Sequence, residues 1–382
     1  MTISHGIRVF DSIYLSHVLL IFLFIYCVFK AISSQSNLIH SKWFLGLLYA
    51  QIVLILVSLY MGNEINNIKQ ILQFLLLFIA FFVGYSLCRL RPSNLELVLE
   101  TLLLGFLLNA AVGLFQSISW IVEHGFVLLS GSEWFRVKGI NMSPADYVSH
   151  LLMGFFLLMA LPKIKYRKYY ILVLLILLVI SMSRSAMIIL LFISALFFWR
   201  LRVAKKIAAL SAVAIFGTSL LALNVENFLL LERVADITNY DFNVKRILVY
   251  QDVLENTFGS LASTFFGSGY GSYVFFHPLD GELYNNTHNI YFNYLYGGGL
   301  LGLFFFLILI ISAFLIFSSI NHKTAIQYSK KKYIQPIWLK YMLMSILIIG
   351  LVETNLLGVG TGWLVAYLLG IAYFIKTNKM SY

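Results

Sequence analysis

The sequence predicts an all-α polytopic membrane protein. Three observations carry that prediction. Of its 382 residues, 60% are hydrophobic and only 11% charged, with a mean hydropathy of +0.88. A soluble globular chain is about 45–50% apolar and about 25% charged, and could not hide this much apolar surface from water. Apolar runs long enough to cross a bilayer, about 20 residues each, recur along the whole length. Finally, Lys and Arg gather in the short hinges between alternate runs, as they do on the cytoplasmic side of membrane proteins.

Taken in order, the predicted spans lie near 12–32, 43–62, 70–88, 97–119, 146–162, 168–183, 185–201, 206–224, 290–318, 338–353 and 356–376. That makes about eleven helices, within a range of about 10–12, in one integral membrane domain covering 1–382. The five prolines (Pro92, Pro144, Pro162, Pro278 and Pro336) fall at or outside the span ends, which predicts uninterrupted helices. Cys27 and Cys88 both lie inside apolar runs and read as small buried hydrophobes, not as a disulfide or metal pair. The first run is too long for a cleavable signal and lacks a small-residue cleavage site.

Orientation follows from the hinges. Arg89 with Arg91, then Lys163, Lys165, Arg167 and Lys168, then Arg200, Arg202, Lys205 and Lys206, and finally Lys323 with Lys330, Lys331 and Lys332 mark one side as cytoplasmic. The formal net charge of +11 is thereby assigned to membrane topology and not to nucleic acid. The segment 225–289 must then be external. It holds Glu226, Glu232, Asp236, Asp241, Asp252, Glu255, Asp280 and Glu282, half of the chain's 16 acidic residues. Ile247–Leu254 mixes apolar residues with Gln251 and Asp252, and Leu261–Phe266 mixes them with Ser263 and Thr264, and both read as amphipathic surface helices. A shorter external segment covers 120–145, the N-terminus is placed outside, and the C-terminus inside.

Three residues stand out by position on that external side. Arg184, in Ser183-Arg184-Ser185, marks the only break between two apolar runs. Such a charge can snorkel from a plain turn, yet a tight hairpin has no need of arginine. Arg246 follows Asp241-Phe242-Asn243, and like Arg233 it can be read as half of a solvated surface ion pair. His288, in Asn286-Thr287-His288-Asn289, sits where the loop re-enters the membrane. It can be a packed interface residue, or a proton acceptor beside two arginines. The turn Gly267-Ser268-Gly269-Tyr270-Gly271 lacks the βαβ context of a nucleotide loop and reads as a tight turn. Gly297, Gly298, Gly299 and Gly302 read as a site of close helix packing. No His, Cys and carboxylate cluster has metal-ligand spacing, so neither a metal nor any other cofactor is expected.

The order of these motifs is similar to that of the bacterial O-antigen polymerase and O-antigen ligase superfamily. Phe135-Arg136-Val137-Lys138-Gly139 precedes Pro144, and Met182-Ser183-Arg184-Ser185-Ala186 opens a span. Lys245-Arg246 comes next, then Phe266 to Tyr273, Thr287-His288-Asn289-Ile290-Tyr291, and Gly299-Leu300-Leu301-Gly302. The resemblance covers roughly 130 to 310. One departure is that Tyr250 and Gln251 stand where the family often has Trp after the arginine. The resemblance implies glycan transfer from an undecaprenyl-pyrophosphate carrier at the periplasmic face of the bacterial inner membrane, without a metal ion. Arg184 and Arg246 would hold the pyrophosphate, and His288 would act as, or support, the general base. Arginine forks suit a departing pyrophosphate, and a histidine suits a hydroxyl that must lose its proton. Arg136, Arg233, Asn289 and Tyr250 are the expected substrate contacts, with loop aromatics offering flat faces to sugar rings.

The leading expectation is therefore an O-antigen polymerase that joins lipid-linked repeat units, working beside a chain-length regulator and a flippase. The first alternative is an O-antigen ligase that moves the chain to lipid A core. A lipid-linked oligosaccharide flippase, which is not an enzyme, is the alternative of another class. Transporters usually carry ionisable residues at mid-span and related halves, and neither is visible here.

Overall fold

A computed structural model describes residues 8–10, 13–33, 53, 65–90, 94–124, 137–140, 144–161, 164–181, 184–200, 240–270, 273–276, 278, 281, 283–284, 287–319, 326–329, 332–351 and 361–377. The predicted spans at 43–62 (apart from 53) and 206–224 lie outside the described residues, as do Arg136 and Arg233.

Long helices form where the apolar runs stand. They are α1 (Leu15–Ser33), α2 (Ile65–Leu90), α3 (Asn94–His124), α4 (Pro144–Ala160), α5 (Arg167–Ile180) and α6 (Arg184–Arg200). Further along the chain come α7 (Tyr240–Phe258), the short α8 (Leu261–Phe266), α9 (Ile290–Ser319), α10 (Pro336–Gly350) and α11 (Thr361–Thr377). Pro144 and Pro336 each open a helix, where a missing N–H costs nothing. Three two-stranded hairpins complete the described elements: β1 (Arg8–Phe10) with β2 (Ile13–Tyr14), β3 (Phe275–Phe276) with β4 (Leu283–Tyr284), and β5 (Ile326–Ser329) with β6 (Lys332–Ile334).

Among the described residues, two helices are long and apolar enough to cross a membrane, over Leu97–Glu123 in α3 and Ile290–Ser312 in α9. Shorter apolar helices surround them, and one buried core draws on α1 to α6 together with α10 and α11. The α2–α11 pair approaches most closely: Gly84 lies against the carbonyl of Tyr367, and Gly370 against that of Phe81. Small residues at such a contact let the two helix backbones approach closely. The basic hinges after α4 and before α10 meet at one end of the bundle, because the Gln335 N–H donates to the Ala160 carbonyl at 2.8 Å.

The predicted helix at 290–318 is not uninterrupted. Gly299 has φ 61° and ψ −158°, which breaks α9 into two parts. No proline is involved. The sequence reading, which looked to prolines for breaks, took these glycines only as a packing face. They are that as well, because the turn after α8 docks into the break. There the Ser268 N–H donates to the Tyr296 carbonyl at 2.7 Å and the Gly269 N–H to the Gly297 carbonyl at 3.2 Å. The broken ladder is thus repaired from outside the helix.

A side chain at Gly299 would meet both a left-handed backbone and the backbone of Phe265 and Gly267. The conformation alone costs about 1–2 kcal/mol. Gly299→Ala should therefore lower the thermal midpoint in detergent by several degrees and leave less folded protein, whereas Gly281→Ala, at an exposed position of similar φ where a Cβ would make only ordinary contact with the Phe276 ring at 3.9 Å, should shift the midpoint less. Paired melting curves of the two variants check this.

Candidate functional site

Helices α7 and α8 and the β3–β4 hairpin build a small cap against the start of α9. Helix α7 is longer than the sequence suggested, beginning at Tyr240, so Arg246 lies within it and does not open it. Its apolar face does not simply rest on a membrane surface. Val249 and Val253 are buried with Tyr273, and Tyr250, Phe275, Phe292 and Tyr296 pack around them. Tyr250 stacks on Phe292 of α9 with centroids 4.6 Å apart and planes 15° from parallel. The predicted sugar-facing ring is thus also the contact that docks α7 on α9. Helix α8 has the predicted bounds, set by a capping box in which Ser260 and Ser263 exchange hydrogen bonds.

This docking fixes where two expected residues stand. Arg246 is half-buried one helical turn before Tyr250, and His288 stands four positions before Phe292. Each is therefore within about one turn of the same aromatic stack along its own chain. His288 is half-buried, and its backbone is left-handed, with φ 51°. A non-glycine residue held there stores strain of about 1–3 kcal/mol, of the kind that gathers at functional sites. Its ring meets Tyr284 edge-on at 6.0 Å, so the β3–β4 hairpin links it back to Phe275 and the α7 face.

Asn289 is spent on the fold. Its Oδ1 accepts from the N–H groups of Tyr291 (2.9 Å) and Phe292 (3.3 Å), which caps α9, and its Nδ2 donates to the Leu351 carbonyl at 2.9 Å. A cap of this kind contributes about 1 kcal/mol. It ties the start of α9 to the end of α10 and holds the backbone next to His288. Thr287 Oγ1 donates to the Asn289 carbonyl at 2.8 Å and closes the same turn. Arg184 is the first residue of α6, and its side chain lies outside what is described. Among the described residues no group of His, Cys and carboxylates is arranged to hold a metal.

Two features escaped the sequence reading. Asp252 of α7 accepts from Asn256 Nδ2 at 3.0 Å and lies beside Tyr273, whose hydroxyl donates to the Val249 carbonyl at 3.3 Å. Burial holds the Asp252 carboxyl above the usual carboxylate range, assisted by Glu255 and opposed by the Tyr273 hydroxyl and the Asn256 amide. The second is a buried polar network within the helices. Asn109 Oδ1 accepts from the Ile140 N–H at 2.9 Å, and its Nδ2 faces His150 Nδ1 at 3.4 Å. The available signal was the presence of polar residues inside two apolar runs, which is costly unless they are used.

These features describe a helical protein of membrane type with a polar helical cap over one broken span. The comparisons agree with that class. Residues 169–307 match the family model described as O-Antigen ligase. Over that stretch the chain is similar to the O-antigen ligase/polymerase superfamily, whose members are membrane-associated, glycosyltransferase-like enzymes acting on lipid-linked glycans. No curated protein matches the chain.

Asp252 also gives a pH prediction. A carboxyl whose folded pKa lies above its unfolded value binds its proton more tightly when folded. Its contribution to stability therefore grows as pH falls through the folded pKa and is absent at neutral pH. Melting curves on either side of that titration should show an acid-side increment that Asp252→Asn removes.

Proposed function

We propose that this chain is an O-antigen polymerase that joins undecaprenyl-pyrophosphate-linked repeat units at the periplasmic face of the bacterial inner membrane, as a multi-pass protein with about eleven spans. The observation that carries the reading is the O-Antigen ligase match over 169–307, a stretch that includes Arg184, Arg246 and His288. Arg184 and Arg246 neutralise the departing pyrophosphate, a role for which guanidinium forks need no metal ion. His288 takes the proton from the attacking hydroxyl, and its strained turn beside the capped start of α9 supports that role. Arg136 and Arg233 extend the cationic surface, and Tyr250 offers an aromatic face to a sugar ring. Asn289 contributes through the turn it holds. A chain-length regulator and a flippase are the proposed partners.

A second reading has one observation in its favour. The matched family model is described as a ligase, so transfer of the finished chain to lipid A core is the alternative.

Purified protein given only lipid-linked repeat units should lengthen them. A requirement for lipid A core as acceptor would replace polymerase by ligase. With either acceptor, His288→Ala should lower turnover by about 10²–10⁴-fold, the usual contribution of a positioned acid or base. Arg184→Lys should cost about 10²-fold, because a point charge cannot reproduce a fork. Product formed at the parent rate by the His288 variant would refute its role.

A further inference from the structure

The segment between α3 and α4 reads from sequence as an external loop, yet its described part is not at the helix end. The Gly139 N–H donates to Gln116 Oε1 at 2.9 Å, while Gln116 Nε2 donates to the Gly139 carbonyl at 2.8 Å. The Lys138 N–H also reaches Gln116 Oε1, at 3.3 Å, and the Ile140 N–H reaches Asn109 Oδ1. Gln116 and Asn109 lie about 12 Å and about 22 Å along α3 from its last residue, His124, at 1.5 Å per residue. The turn Val137–Ile140 therefore descends alongside α3. Gly139 fits there with φ 60°, where an added Cβ would overlap Asn109 Oδ1 and the Tyr147 ring.

The opposite face of α3 fixes the depth. Phe115, Ile118 and Val122 are 70%, 51% and 78% exposed, in a helix apolar enough to cross a membrane over Leu97–Glu123. On the membrane reading of α3 these exposed apolar residues face lipid at or beyond the level of Gln116. The turn thus lies within the apolar layer, where non-helical backbone is tolerated only against protein or beside water. Val137 and Gly139 are buried against protein, but Lys138 is exposed. An exposed ammonium at this depth cannot face hydrocarbon cheaply.

We infer that Val137–Ile140 is a re-entrant turn lining a water-filled recess between α3 and α4, and that Lys138 there binds the phosphate of a lipid-borne anion. The site is built by Gln116, whose single amide satisfies both the N–H and the carbonyl of Gly139. Gln116 is a positioning residue. The inference rests on the membrane reading of the proposed function and names a phosphate contact outside the arginines invoked there.

The test separates water access from anion binding. In protein with Cys27 and Cys88 replaced by alanine, Ile140→Cys reports from the turn and Ile118→Cys from the lipid face of α3. A charged, membrane-impermeant thiosulfonate should modify the first and not the second. Polyprenyl diphosphate in phosphatidylcholine vesicles, at ten times its Kd, should slow modification of Ile140→Cys about tenfold. Adding Lys138→Gln should abolish that protection while leaving the unprotected rate in place. Equal protection by inorganic pyrophosphate alone would overturn the lipid-borne ligand in favour of a soluble anion. An inert Ile140→Cys overturns the recess, and protection that survives Lys138→Gln overturns the cation's role. Because the readout is chemical modification, failure to transfer glycan would refute the proposed function and leave this result standing.

Discussion

The structure depends on one constraint: backbone amides that leave a helix inside an apolar layer must find partners within the protein. Each group left bare there costs several kcal/mol. Among the described residues the chain leaves its helices at two such places and meets the constraint differently at each. At Gly299 the break in α9 is closed by main chain, through the N–H groups of Ser268 and Gly269. At Val137–Ile140 it is closed by side chains, through Gln116 and Asn109. In both cases a glycine with positive φ makes the approach possible.

The two repairs have different consequences. Closing the α9 break with the turn after α8 couples the helical cap to α9. The cap's position then follows from backbone hydrogen bonds as well as from the Tyr250–Phe292 stack and the buried Val249, Val253 and Tyr273. The part of α9 after the break, up to Ser319, still spans about 30 Å, the thickness of a bilayer core. The part before it is therefore free to serve the cap. Its cap residue Asn289 joins it to α10, so His288 is held from three directions: by α9 itself, by α10, and by the β3–β4 hairpin through Tyr284. A strained histidine persists only where its surroundings determine it this completely.

What could be read from the sequence was whatever repeats locally. Apolar runs marked α3, α4, α5 and α10, and the amphipathic pattern of Leu261–Phe266 marked α8 at its observed bounds. The start of α7 was hidden because Asp241 and Asn243 resemble a loop, while its helicity depends on packing its far side against α9. The break at Gly299 was hidden because a glycine inside an apolar run has the same appearance in a straight helix. Of the expected site residues, Arg246, Tyr250, His288 and Asn289 stand in or beside the cap, and Arg184 heads α6. The role of Asn289 in capping could have been anticipated, since asparagine directly before an apolar run is a helix-start signal. The Gln116 and Asn109 contacts could not, because they join residues between 22 and 31 positions apart.

Polar residues inside the spans are therefore the more telling signal here than the charges outside them. Asn109, Gln116 and His150 bear no net excess of charge and would be invisible to a count of basic hinges. Each nevertheless costs free energy in an apolar layer unless a partner is built for it. Partners are built for Gln116 and Asn109, and those partners are the backbone of the very segment that carries Lys138. A fold seeking only stability would place leucine at these positions and leave the segment in water. Holding a cation-bearing turn at depth has a use only if something anionic must be met there, in a protein whose expected substrates carry their charge on a lipid.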